Sequence, residues 1–261
     1  MNSKPPLVSR FILTTLVVLL ISHSGFSQPL AFPGAEGWAA TTPGGRGGAI
    51  IKVTTLEADG EGSLKAALEA EGPRTVIFDV GGIIDLAGTT LIVENPFLTI
   101  AGQSAPYPGI TIIDGSIEIR ECNDVIIQHI RVRPGAARHI EEIGVWEPDG
   151  ITCNASNNII VDHCSISWAV DENLSASGPR FEGANPEEWR SNTSRQITFS
   201  NNIVAEALFE ATHSEGMHSR ASLIHDNTSD IAVIKNLYAH NNRRSPLFKA
   251  GARGVVMNNV I

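Results

Sequence analysis

The chain has 261 residues and a formal charge of −9, with 28 acidic side chains against 19 basic ones. That balance argues against a nucleic-acid partner, and an acidic polymer as partner would need local cations, from bound metal or from a cluster of Arg and Lys. Three cysteines, Cys122, Cys153 and Cys164, are too few for a disulfide scaffold. No CxxC or His/Cys metal spacing is present, so they read as small buried apolar side chains.

In chain order, Lys4 and Arg10 give a positive start, residues 11–21 are apolar, and Gly25 and Ser27 are small. This predicts a secretory signal over residues 1–27, cut near Ser27, with an apolar run too short to span a bilayer. One mature domain over 28–261 is expected, extracellular or periplasmic, monomeric and free of the membrane once the signal is removed. Its start, Ala31-Phe-Pro-Gly-Ala-Glu-Gly-Trp38, leads into the glycine-rich run 41–48. That run lacks the Gly-Lys-Ser/Thr ending of a phosphate loop and reads as tight turns entering a β domain.

Residues 50–54 read as a strand. Residues 62–70 carry Leu64, Ala67 and Leu68 at helical spacing with Ser63 as N-cap. A helix here would cap the open end of a stack of strands and cover its apolar cross-section. Beyond it come only short strands separated by Gly and Pro: 75–79, 82–86, 90–93, 98–101, 110–113 and 116–119. No second helical period is visible, which argues against alternating βα architecture.

The later half repeats itself. Asp124-Val-Ile-Ile-Gln-His-Ile-Arg-Val132 resembles Asn158-Ile-Ile-Val-Asp-His-Cys-Ser-Ile166, and related strands start near 196, 230 and 254. Unequal spacing between the copies suits a coil of fixed size with loops inserted between strands. Asn recurs at strand junctions (Asn123, Asn158, Asn201, Asn236, Asn258), where it tolerates left-handed turns and could bond along a stack. The pattern predicts an all-β fold, a single-stranded parallel β-helix with an N-terminal capping helix. The sequence stops within a strand pattern, from which a chain cut short of a C-terminal cap is expected.

The centre of the pattern is residues 149–175. Acids stand at both ends of its strand: Asp149 on one side, Asp171 and Glu172 on the other. If one coil is about as long as the gap between them, Asp149 and Asp171 stack on adjacent rungs, roughly 4.8 Å apart. Carboxylates that close repel unless a cation or proton lies between them.

Four segments together resemble the pectate lyases of polysaccharide lyase family one: Ala31–Trp38, Gly60-Glu-Gly-Ser-Leu-Lys-Ala-Ala-Leu68, Val161-Asp-His-Cys-Ser-Ile-Ser-Trp168 and Arg244-Ser-Pro-Leu-Phe-Lys249. The resemblance runs from about Phe32 to the end. It implies a right-handed parallel β-helix that cleaves polygalacturonate (pectin) by calcium-assisted β-elimination. Asp149 and Asp171 match calcium aspartates, with Glu172 as a further candidate ligand. The family often has Asp where this chain has Ser175, which removes one charge. Arg244 matches the base and Lys249 a uronate-binding cation. Arginine is an awkward base, because its guanidinium holds its proton far above neutral pH, and a neighbouring cation would help by disfavouring its charged form. Where the family has a substrate-binding Lys, this chain has Glu215, leaving Arg220, His213 and His218 as the nearby cationic candidates. Of these, Arg220 and His218 are the expected substrate contacts. The spacing of His213 and His218 has no HExxH character. Asp162 and His163 match a pair that the family carries and that could support a metal site; as a local feature, they read rather as a turn-bonding acid and a structural histidine. A calcium-independent pectin lyase and a non-catalytic polysaccharide-binding β-helix are the alternatives. The retained Asp pair speaks against the first; Ser175, Glu215 and the abrupt end speak for the second. Four Asn-x-Ser/Thr sequons, at Asn154, Asn173, Asn192 and Asn227, read as incidental in so Asn- and Ser-rich a chain.

Overall fold

The computed structural model describes residues 28–261. The predicted signal at 1–27 lies outside the described residues. All strand pairing is parallel, and each strand pairs with one from the next turn of the chain. The result is the expected parallel β-helix.

One face is an 8-stranded sheet running through Ala49–Val53, Arg74–Phe78, Leu98–Ala101, Asn123–Gln128, Asn157–Asp162, Arg195–Ser200, Ser229–Ile234 and Gly254–Met257. Its register is unbroken where it matters for packing: Ile127 stacks on Val161, Val161 on Phe199, and Phe199 on Val233. All four are fully buried. Stacking like residues along the axis gives every rung the same apolar interior, so burial and register enforce each other.

The other faces meet in a second sheet, and here the sequence expectation needs correcting. The segments read as separate strands at 82–86 and 90–93 form one strand, Gly82–Val93, and those at 110–113 and 116–119 form Ile110–Arg120. These two long strands pair with each other around a register shift between Asp85 and Thr89, where Ala87 is left-handed. After them the sheet divides. Ile130–Arg133 and Ser165–Ser167 continue one branch, while Ile151–Asn154, Glu172–Ser177 and Arg220–Ile224 continue the other. The second branch carries the site.

The opposite correction applies at His129 and His163. Each was read inside a continuous strand, yet each is left-handed, with φ near 56° and 51°, and ends a strand of the first face. Asn201, Lys235 and Asn258 take the same conformation one rung at a time. The Asn stack is present, with Asn236 in it as expected and its neighbours on either side shifted by one residue. Asn202, rather than Asn201, accepts from Cys164 N–H (2.9 Å), Asn236 accepts from Asn202 N–H (2.9 Å), and Asn259, rather than Asn258, accepts from Asn236 N–H (2.8 Å). The left-handed residue turns the chain, and the next residue points inward to satisfy the freed backbone N–H.

The helix Leu64–Glu69 forms as read. Ser63 Oγ accepts from Ala66 N–H, and Leu64, Ala67 and Leu68 are buried against the core. Buried Arg74 donates to the carbonyls of Ala67 and Leu68, which satisfies helix-end acceptors that would otherwise be orphaned. A second helix, Pro186–Asn192, was not read from the sequence. Asn185 caps it by accepting from the N–H groups of Glu187 and Glu188.

The segment 31–48, with its glycine-rich run, is more than an entry turn, since it lies against the outside of the first sheet. A side chain at Gly45 would collide with the Arg74 carbonyl, and one at Gly37 with Thr198 and Ala232. Glycine is what lets the strap lie this close. The three cysteines are buried and free.

Candidate active site

The acids converge because adjacent rungs bring them together. Asp149 and Gly150 lie just ahead of the strand Ile151–Asn154, and Asp171 lies just ahead of Glu172–Ser177. Glu172 donates its N–H to Asp149 Oδ1 (2.9 Å), and Gly150 donates to the Glu172 carbonyl (2.8 Å). A side chain at Gly150 would meet Asn173 O and Ile166, so glycine beside Asp149 permits this close approach. Asp171 and Glu172 do not face opposite ways as strand neighbours would, because Asp171 sits in the bend before the strand starts.

Asp149, Asp171 and Glu172 each offer a carboxylate oxygen within 4.8 Å of the others. Burial, and after it the charge of Asp171, raises the Asp149 carboxyl to about 7; hydrogen bonds from Ser175 and Thr152 oppose the rise. Ser175 Oγ bonds directly to Asp149 Oδ2, so the serine takes the place of a further carboxylate with a neutral donor. Three acids in partial burial whose mutual repulsion is only partly relieved by donors suit a hard divalent cation, which would take oxygen ligands here.

The remaining charges of this cleft are arranged around the acids. Arg244 pairs with Glu172 Oε1, and its Nη1 is 4.0 Å from Asp171 Oδ1. Its backbone is left-handed and held by Ser222 N–H to Arg244 O (2.6 Å), ahead of a cis Ser245–Pro246 bond. Left-handed residues also close ordinary turns of this coil, so that conformation is no sign of function by itself. His218 Nε2 is 2.8 Å from Asp171 Oδ1 and His213 Nε2 is 3.6 Å from the same oxygen. The two rings stack 3.6 Å apart. His213 Nδ1 accepts from Glu215 N–H, which leaves the proton on Nε2, pointing at the acids. Desolvation lowers the His218 pKa against the pull of Asp171.

Lys249 lines the same cleft, of about 180 Å³, with Asp171, Glu172, His218 and Arg244. The structure therefore brings together Asp149, Asp171, Glu172, Arg244, His218 and Lys249. Arg220 departs from the expectation. It lies in the strand Arg220–Ile224, 8% exposed and opposite Glu172 in register, and it is not among the residues lining the cleft. Its place in the stacked strand keeps it from reaching a polymer outside. His218 is in the cleft but committed to Asp171, with only 2% of its side chain exposed. Asp162 belongs to the first face, where Gln128, His163, Ser200 and Asn201 surround its carboxylate.

Arg180 and His225 also line the cleft and were not singled out in the sequence. They carry no motif, and each comes from a different turn of the coil. Next to the charged cleft is an apolar one of about 570 Å³, with Trp168, Ile140, Ile143 and Leu208 in its walls.

No family model matches the chain. It is 37% identical over 237 residues to a protein of Emericella nidulans named probable pectate lyase C, covering 91% of this chain and 49% of that one. It is 37% identical over 229 residues to a protein of the same name from Aspergillus terreus, covering 88% and 47%. Among solved structures it is similar to Jun a 1, the major allergen from cedar pollen (TM-score 0.62, 20% identity, 84% of this chain and 62% of that one). A solved pectate lyase, described for its substrate specificity and anti β-elimination mechanism, matches at TM-score 0.59 and 15% identity, over 89% of this chain and 72% of that one. The chain spans about half the length of the curated relatives it matches. By sequence over nine-tenths of its length, and by fold, the chain is a relative of the pectate lyases.

Proposed function

We propose that this protein is an exported, monomeric pectate lyase that cleaves α-1,4-linked polygalacturonate by calcium-assisted β-elimination. The observation that carries the reading is the placing of Arg244 and Lys249 in one cleft with Asp171 and Glu172, beside Asp149. Export rests on the sequence of residues 1–27; no helix among the described residues is long and apolar enough to cross a membrane.

Asp149, Asp171 and Glu172 would hold the calcium. When bound there, calcium supplies positive charge to a uronate carboxylate and so acidifies the neighbouring C5–H. Lys249 pairs with a uronate carboxylate and fixes the sugar's position. Arg244 is the proposed base: it takes the C5 proton once it has given up its own proton to water and its pairing with Glu172. The C5–H electrons form the C4=C5 double bond, the C4–O4 bond breaks, and the departing O4 takes a proton from water. His213 and His218 orient Asp171 through their Nε2 atoms.

The test is the ultraviolet absorbance of unsaturated uronate during incubation with polygalacturonate, with calcium and then with chelator, alongside Arg244→Ala. Absorbance that rises with calcium, stops with chelator and falls on the order of 10²–10⁴-fold in the variant supports the reading. No rise from folded wild-type protein sinks it, and calcium-dependent binding of the polymer without product would leave a binding protein instead.

A further inference from the structure

Resting on that reading of the substrate as a uronate polymer, we infer that Arg180, held in place by His225, forms with Lys249 a second carboxylate site in the cleft, distinct from the acid cluster that Arg244 faces. The cleft has three cationic side chains, Arg180, Arg244 and Lys249. Arg244 is taken by Glu172. Among the described residues, Arg180 and Lys249 form no ion pair with any carboxylate, although Asp171, Glu172 and Glu215 line the same cleft. Two cations facing one small cleft repel each other and are stabilised by an anion between them.

His225 shows how Arg180 is aimed. Arg180 Nη2 lies 3.1 Å from His225 Nε2. A guanidinium can only donate, so Nε2 accepts and the ring proton sits on Nδ1, on the side of Asp226 Oδ2 at 3.5 Å. The ring is largely buried, and burial, followed by the charges of Arg180 and then Lys249, pushes its pKa down to about 4. It therefore stays a neutral acceptor across the neutral range and orients one edge of the guanidinium. The remaining N–H groups are free for a carboxylate, which a guanidinium binds with two parallel hydrogen bonds. Asn227 Nδ2 donates to the Arg180 carbonyl (2.6 Å) and ties the loop to the next turn of the coil. The ligand class is a uronate carboxylate one or more sugars away from the reacting residue. A methyl ester there lacks the charge, so the site selects for unesterified polymer.

The experiment measures calorimetric binding of trigalacturonate and of its fully methyl-esterified form with calcium present. The parent is Arg244→Ala, whose turnover is monitored by absorbance. Adding Arg180→Ala is expected to weaken trigalacturonate binding at least tenfold and to leave the methyl ester unchanged. Arg180→Lys recovers part of the loss. His225→Ala weakens binding as Arg180→Ala does, while His225→Gln, whose amide oxygen can still accept, retains most of it. Equal trigalacturonate affinity with and without Arg180, or equal loss for the methyl ester, overturns the inference, as does a parent that binds no trigalacturonate. Turnover that persists in the parent counts against Arg244 as base and leaves the Arg180 comparison readable. Arg180 is exposed, and melting curves check that each variant is folded.

Discussion

Glu172 gives its backbone N–H to the side chain of Asp149, at 2.9 Å, across two turns of the coil. One carboxylate of the proposed calcium site is thereby fixed by the peptide unit that carries another. Asp149 is the group whose ionisation is held back, at about 7, by burial and by Asp171. Calcium binding requires the carboxylate. Calcium affinity is therefore expected to rise roughly tenfold per pH unit below 7 and to level off above it. Calorimetry in buffers of different ionisation enthalpy should show proton release near neutrality. An affinity flat between pH 5 and 8 would contradict this assignment.

Ser175 bonds Asp149 where the resemblance leads one to expect another acid. Ser175→Asp adds a charge to the cluster and removes a donor from Asp149. It is expected to strengthen calcium binding about tenfold and to lower the melting temperature of the calcium-free protein, because the added repulsion has no cation to relieve it. Thermal melts with chelator and with calcium would show the two effects with opposite signs.

Asn236 is buried and links three turns. It accepts from Asn202 N–H, and its Nδ2 donates to Phe199 O and Asn259 Oδ1. Asn236→Ala strands a backbone N–H and a carbonyl in the interior. The expected cost is about 2–4 kcal/mol, readable as a lowered denaturant midpoint. Asn201→Ala, at a residue outside that row, replaces a residue suited to a left-handed backbone and removes its hydrogen bond to the buried Asp162 carboxylate, so it should cost about 1–3 kcal/mol without opening the row itself.

His225 predicts how stability depends on pH. Its folded value is about 4, below the ordinary 6.5, so between these limits the unfolded chain binds the extra proton. The contribution is whole above about pH 6.5 and is lost as pH falls toward 4, roughly 3 kcal/mol in total. His225→Gln should flatten that part of the stability profile. A slope unchanged by the substitution would mean that other groups set it.

The strand pattern was legible because one face of every rung is apolar, and alternation marks it directly. What alternation cannot mark is a left-handed residue inside the pattern. His163 therefore read as mid-strand although it ends one strand, and the inward Asn falls one place later than expected at Asn202 and Asn259, though not at Asn236. The helix Pro186–Asn192 buries none of its residues, so it leaves no apolar period and shows itself only through the Asn185 cap and Pro186. In the site, Asp149, Asp171, Glu172, Arg244 and Lys249 could be named because they sit in recognisable segments. Arg180 and His225 could not, since their approach depends on how far a loop reaches across the coil. Arg220 looked available because it follows a loop, but its register opposite Glu172 is what buries it.

The register from Asn157–Asp162 through Arg195–Ser200 to Ser229–Ile234 continues without a break, although the connections between them differ in length and content. Shape and chemistry are thereby inherited on separate parts of the chain. A lineage of such proteins can lengthen, shorten or recharge the segments at 136–145, 179–192 and 209–217, provided that Asp149, Gly150, Ser194 and His218 keep their bonds to the rungs. Preference among polymers is then free to drift by loop exchange, and grafting those three segments from one relative onto another is the direct way to move it.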